Sequence, residues 1–292
     1  MDVLTSPIPF KSRPAHSHIE TINVDTGEIR HIKEYDYCVE APNWLADGRL
    51  LFNALGRIRT IDLNTLEERE LDTGYCVRVN NDHVVSADGR MLAVSHHAAE
   101  DMRSRIYTMP IEGGSPRLIT PIAPSYLHGI SPDGKTLAYC AERNGEYDIY
   151  TIPVEGGVET QLTNAPGLND GPEYSPCGQY IWFNSVRAGN MQIFRMRADG
   201  SEQTQMLKSA RNDWFPHVSP DGKRVVYVSY GTDIAPGDHP ADKNVELHIM
   251  DADGKNDRLL LALFGGQGTL NVNSWSPDSR TIAYVRYEKL TD

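Results

Sequence analysis

Residues 127–163 read LHGISPDGKTLAYCAERNGEYDIYTIPVEGGVETQLT. This stretch decides the architecture. A short run at 128–131 leads into the turn Pro132-Asp133-Gly134-Lys135, and residues 136–140 follow with Leu137 and Tyr139 alternating against smaller neighbours. A polar loop at 142–146 precedes a run at 149–154, a Glu155-Gly156-Gly157 turn and a last run at 158–163. Period-two alternation punctuated by Pro, Asp and Gly predicts four antiparallel strands. One such unit cannot bury both of its faces, so it needs neighbours of the same kind.

The chain supplies them. Variants of the Ser-Pro-Asp-Gly turn place Asp47, Asp88, Asp133, Cys177, Asp221 and Asp278 at one shared position. Pro presets φ, Asp bonds the backbone ahead of it and Gly accepts positive φ. A second hairpin recurs from Ile19, Ile58, Ile106, Ile149, Ile193 and Leu247, and these copies align without a gap. The chain begins with a second hairpin and ends with a first one. Pairing the two completes a sixth sheet and closes a ring, which removes exposed sheet edges. The sequence therefore predicts an all-β, six-bladed β-propeller of four-stranded antiparallel blades over residues 19–287. The last blade is closed by both termini, with tails at 1–18 and 288–292.

The 292 residues carry 40 acidic and 28 basic side chains, a formal charge of −12. No basic stripe is visible, which argues against a nucleic-acid surface and for neutral, basic or metal-bearing partners. No apolar run approaches the length of a membrane span. The N-terminus has no apolar segment of leader length, so the expectation is a cytoplasmic protein, or a periplasmic one if a leader has been removed. Cys38, Cys76, Cys140 and Cys177 form no CxxC pair and are expected to be reduced and partly buried.

The pattern S-P-D-G-K, an aliphatic-aromatic strand, a short polar loop, I-Y-x-(I/M) and a Gly turn before L-T resembles the TolB-type, WD40-like propeller repeat. Residues 131–163 and 219–228 carry the resemblance most fully, and it extends over most of 19–287. It implies the propeller fold. It does not imply the role of TolB itself, which has a separate N-terminal domain before its propeller. Propellers of prolyl oligopeptidase-like enzymes are similar, but they add a hydrolase domain with a G-x-S-x-G elbow that this chain lacks. Oligogalacturonate lyases resemble the repeat too, and they hold a divalent metal through histidines near the propeller axis.

Ligand sites on propellers gather where loops enter the inner strands, around the channel. Those loops and strands hold the candidate ligand-binding residues His83, His128, Asp170, Asp213, Trp214, His217 and His239. His83, His128 and His217 fall on inner strands, where imidazoles joined by a carboxylate suit Zn²⁺, Mn²⁺ or Fe²⁺. The plainer reading is that each packs at the channel wall and bonds backbone or water. Asp170 and Asp213 occupy nearly matching positions, one residue out of step, and either cap turns or bind a cation or basic partner. Trp214 is a stacking platform, a partner anchor or core. His96 and His97 are expected in a solvated loop. Residues 231–244 form the longest departure from the repeat, predicted to cover the channel mouth with His239 tied down.

There is no P-loop, nucleophile elbow, zincin motif or dinucleotide fingerprint. The sequence thus favours a non-catalytic module that binds a protein partner or a small carbohydrate-like ligand, as a monomer or weak homodimer. The alternative is a metal-dependent carbohydrate-active lyase or hydrolase using a divalent metal in the channel.

Overall fold

The computed structural model describes residues 15–289. The first blade holds β3 (Val39–Trp44), β4 (Arg49–Ala54), β5 (Arg57–Asp62) and β6 (Glu68–Glu70). The second holds β7 (Val79–Val85), β8 (Met91–His97), β9 (Ser104–Pro110) and β10 (Arg117–Leu118). The third holds β11 (Ser125–Ile130), β12 (Thr136–Arg143), β13 (Glu146–Pro153) and β14 (Thr160–Gln161). The fourth holds β15 (Asn169–Tyr174), β16 (Tyr180–Ser185), β17 (Gln192–Arg197) and β18 (Thr204–Gln205). The fifth holds β19 (Asn212–Val218), β20 (Arg224–Tyr230), β21 (Ala241–Asp251) and β22 (Arg258–Gly266). In each, the strands pair antiparallel in chain order, with the first strand innermost.

The sixth blade joins the two ends of the chain. β1 (Ser17–Asn23) lies between β2 (Ile29–Tyr35) and β23 (Thr281–Tyr287). β1 pairs with β23 along its whole length, from Ser17 opposite Tyr287 to Asn23 opposite Thr281. The inner position is an extended segment bridged to β23 through Trp275 and Ile282. The closing blade is buried on both sides. Ile19, Ala283 and Val285 pack with Val39, Leu50 and Phe52 of the first blade. Ile22, Ile282 and Tyr284 pack with Val226, Val228 and Leu247 of the fifth. Burial of such side chains stabilises the ring by roughly 1.5–3 kcal/mol each.

The repeated turn works through its side chains. Ser131 Oγ donates to Asp133 Oδ1 at 2.6 Å, and Asp133 Oδ1 accepts the Lys135 N–H at 3.1 Å. Ser131 Oγ also accepts the Thr136 N–H at 2.9 Å, which starts β12. Ser86 with Asp88, Ser219 with Asp221 and Ser276 with Asp278 repeat the first contact. In the fourth blade Cys177 takes the Asp place and meets Ser175 Oγ at 3.3 Å. This puts Cys177 at the surface, unlike the buried Cys38, Cys76 and Cys140, and corrects the expectation for that thiol. His96 also departs from expectation. It lies buried in β8, and its Nδ1 accepts the Arg78 N–H at 3.1 Å.

Each of the five complete blades has a register shift in its inner strand. The shifts fall between Glu40 and Asn43, Val79 and His83, Leu127 and Gly129, Asp170 and Glu173, and Trp214 and His217. Such bulges re-aim side chains and are common beside functional sites. At the same repeat position Ala41, Gly171 and Phe215 adopt positive φ, and each precedes a proline. An added Cβ on Gly171 would stand 2.6 Å from Asn184 Oδ1, so this copy requires glycine.

Candidate functional site

The channel opens at two mouths. One lies on the face of the repeated turns, with Asp47, Asp88, Pro132, Pro176, Pro220 and Pro277 around a hollow of about 610 Å³. The other opens where the inner strands begin. It is a pocket of about 400 Å³ whose wall includes Asp82, Tyr126, His128, Tyr147, Asp170 and His239. His128 borders both spaces and so stands between them.

The second mouth gathers charge inside a buried wall. Asp170 Oδ1 lies 3.1 Å from His128 Nε2 and accepts the Gly171 N–H at 2.7 Å. Burial pushes the Asp170 carboxyl up, but the His128 ring beside it outweighs that and holds it at about 2. Burial pulls the His128 ring down, while Asp170, Asp82 and Glu173 together leave it raised. The pair is thus an aspartate with an imidazolium.

Asp82 is different. Its Oδ2 accepts a bond from Asn80 Nδ2 at 2.9 Å, and Asn80 Oδ1 accepts the Asp82 N–H in return. Burial, with Asp170 and Glu40 adding like charge, raises its carboxyl to about 6 despite the pull of His128. His128, whose charge pulls on Asp82, is already engaged by Asp170. Among the described residues, no basic side chain forms an ion pair with this carboxylate, whose side-chain hydrogen-bond partner is Asn80.

The insertion supplies the cover. Residues 231–240 of the 231–244 insertion form a loop, and its last part, from Ala241, extends β21. His239 reaches the pocket wall and rests on Trp214, with ring centroids 4.2 Å apart. It also meets the edge of Phe215 at 5.4 Å, while His128 stacks on Phe215 at 5.7 Å. Burial lowers the His239 ring, so it is neutral near pH 7. Its Nδ1 is buried and has no hydrogen-bond partner.

The structure therefore brings His128, Asp170 and His239 together and sends the other candidates elsewhere. Asp213 accepts bonds from Ser209 Oγ and Ser229 Oγ at 2.5 and 2.6 Å, so it braces its own blade. Trp214 is fully buried beneath His239 and offers no stacking platform. His83 bonds Asn43 Oδ1 at 2.8 Å inside the channel wall, where burial lowers it to about 3. His217 bonds Glu173 Oε2 at 2.6 Å and the Leu270 carbonyl at 3.1 Å. Among the described residues, His83, His128 and His217 are not among the groups whose donor atoms converge as a metal site requires. Sequence reasoning missed Asp82, Tyr126 and Tyr147. The one available signal was the polar run Asn80-Asn81-Asp82 in a position otherwise given to strand.

Comparison with known proteins agrees with the propeller fold. Residues 120–236 match the TolB beta propeller domain. An uncharacterized protein of Agrobacterium fabrum is 48% identical over 273 residues, 93% of this chain and 92% of its own. A solved structure described as a candidate TolB from Agrobacterium tumefaciens is 46% identical, with a TM-score of 0.91 over 95% of this chain and 100% of that one. An oligogalacturonate lyase solved in complex with manganese is 15% identical, with a TM-score of 0.57 over 93% of this chain and 78% of that one. That last likeness is one of fold alone.

Proposed function

This chain belongs to the TolB-type β-propeller family, and from that premise we propose that it is a non-catalytic binding module whose partner inserts a positively charged group into the covered channel mouth. The observation that carries this reading is Asp82. Its carboxylate lines a pocket, is buried, and among the described residues has no ion-pair partner of its own. A buried unpaired charge is costly, and such groups concentrate at sites that await a ligand. An ammonium or guanidinium group entering between Asp82 and Asp170 would be paired on both sides, with Tyr126 and Tyr147 providing aromatic walls. A net charge of −12 draws such a partner toward the protein. The apolar floor of Trp214 and Phe215 sets the position of His239, so the pocket is shaped before binding.

The test uses short peptides with a single Lys or Arg, against counterparts with acetyl-lysine or citrulline. Binding is followed by thermal shift and by fluorescence anisotropy. The charged peptides are expected to stabilise the wild-type chain, and Asp82→Asn is expected to lose that response. Equal responses to charged and neutral peptides, or an unaltered response in Asp82→Asn, would refute the proposal.

A further inference from the structure

A second cluster lies outside the channel, on the closing blade. Among the described residues, His18, His31 and Glu34 form a group whose donor atoms all lie within 4.8 Å of one another. The backbone explains how they meet. Residues 31 and 34 are three apart, and a regular strand would point them to opposite faces. β1 and β2 pair with His18 opposite Glu34 and Glu20 opposite His31, and the register shifts between Ile19 and Glu20. Ile32 is therefore an extra residue on β2. This bulge turns His31 onto the face that already carries His18 and Glu34.

The buried member of the group is already in a metal-ready state. His18 Nε2 donates to Glu288 Oε1 at 2.9 Å. A carboxylate behind one ring nitrogen fixes the proton there and leaves the other lone pair for an ion. That other atom, His18 Nδ1, is buried and has no hydrogen-bond partner among the described residues. Glu20 Oε1 stands 3.7 Å from His31 Nδ1, beyond hydrogen-bond distance, and adds a second carboxylate beside the cluster. Glu20 is itself held by Tyr284 and Arg286 of β23.

We propose that His18, His31 and Glu34 bind a divalent transition-metal ion, with Zn²⁺ the best fit, on the outer part of the closing blade. Two imidazoles and a carboxylate, with water completing the tetrahedron, are a Zn²⁺ donor set. Bonds of about 2.1 Å place tetrahedral donors roughly 3.4 Å apart. His31 and Glu34 are exposed, so side-chain rotation closes the present spacing to that value. The ion would link β1 to β2 of the closing blade, and the His18–Glu288 bond would couple it to the chain just past β23.

The experiment titrates Zn²⁺ into the EDTA-dialysed full chain in competition with a chromogenic chelator, and follows thermal unfolding with and without the metal. One Zn²⁺ per chain and a raised melting midpoint are expected. His31→Ala and Glu34→Gln, both at exposed positions, are expected to weaken binding by roughly tenfold or more and to abolish the midpoint rise. His16→Ala is expected to leave both the Zn²⁺ affinity and the Zn²⁺-induced midpoint rise unchanged. Absence of stoichiometric binding, unchanged affinity in His31→Ala, or loss of binding in His16→Ala would each overturn the proposal.

Discussion

Replacing Asp82 by Asn should stabilise the protein at neutral pH while removing its binding site. The carboxyl is held at about 6 in the folded chain, against 3.8 for an unperturbed group. Its folded value is the higher one, so the folded state binds the proton more tightly. Between these two values the unfolded chain carries fewer protons, and stability must fall as pH rises. The penalty is about 0.5 kcal/mol at pH 4 and grows to on the order of 3 kcal/mol at pH 7.5. Asn keeps the shape and the bond potential but cannot ionise. The difference between Asp82→Asn and wild type should follow the same curve, reaching roughly 5 °C in melting midpoint at pH 7.5 for a chain of this size. Paired denaturant titrations from pH 4 to pH 7.5 measure it, and the other titrating groups largely cancel in the difference. A constant offset across that range, or a destabilised variant at pH 7.5, would show that Asp82 is solvated or paired and would remove the ground for a cation site there.

Two further outcomes follow from the geometry. His239→Ala removes the ring that roofs the pocket while leaving Trp214 and Phe215 in place, so affinity for a lysine-bearing peptide should fall about tenfold with little change in fold; equal affinities would show that the insertion is not part of the site. Deleting residues 1–33 strips β1 and most of β2 from the closing blade and should abolish cooperative unfolding; a melting midpoint within about 2 °C of full length would show that strand closure does not hold the ring.

The fold was legible because its repeat is a physical device. The Ser hydroxyl, Asp carboxylate and Gly φ do local work in most of the turns, so these residues recur at fixed offsets, although Leu45 stands in the serine place of the first blade. Copies that change a member remain readable, as Cys177 and Ser279 show. Cys177 meets the serine through sulfur, and Ser279 adopts the positive φ of the absent glycine. Ring closure was legible from order alone, since the chain opens on the second hairpin of a repeat, β1 with β2, and ends on a first hairpin that includes β23. His31 shows what periodicity hides. Its facing depends on the extra residue Ile32, and a bulge leaves no mark in an alternation count.

The channel site was only half legible, and a slip of one position explains why. Asp170 and Asp213 look like equivalent acids before an inner strand. In the paired register, however, Asn169 stands opposite Ser185 and Asp213 opposite Ser229. Ser185 Oγ donates to Asn169 Oδ1 at 2.7 Å, and Ser229 Oγ donates to Asp213 Oδ1 at 2.6 Å. Asp213 thus does the bracing work of Asn169. The counterpart of Asp170 is Trp214, which carries no charge and instead supports His239. Asp82 escaped notice for a related reason. Beside it in sequence stands His83, a more conspicuous residue, yet His83 bonds Asn43 within the wall while the bulge delivers Asp82 to the pocket. What gives Asp82 its raised carboxyl is first its burial and then the company of Asp170 and Glu40 from other blades. Those neighbours lie about forty or more residues away along the chain and converge only when the ring closes. A channel-lining charge in a propeller is therefore read from register and neighbours, and its residue type alone does not distinguish a brace from a ligand group.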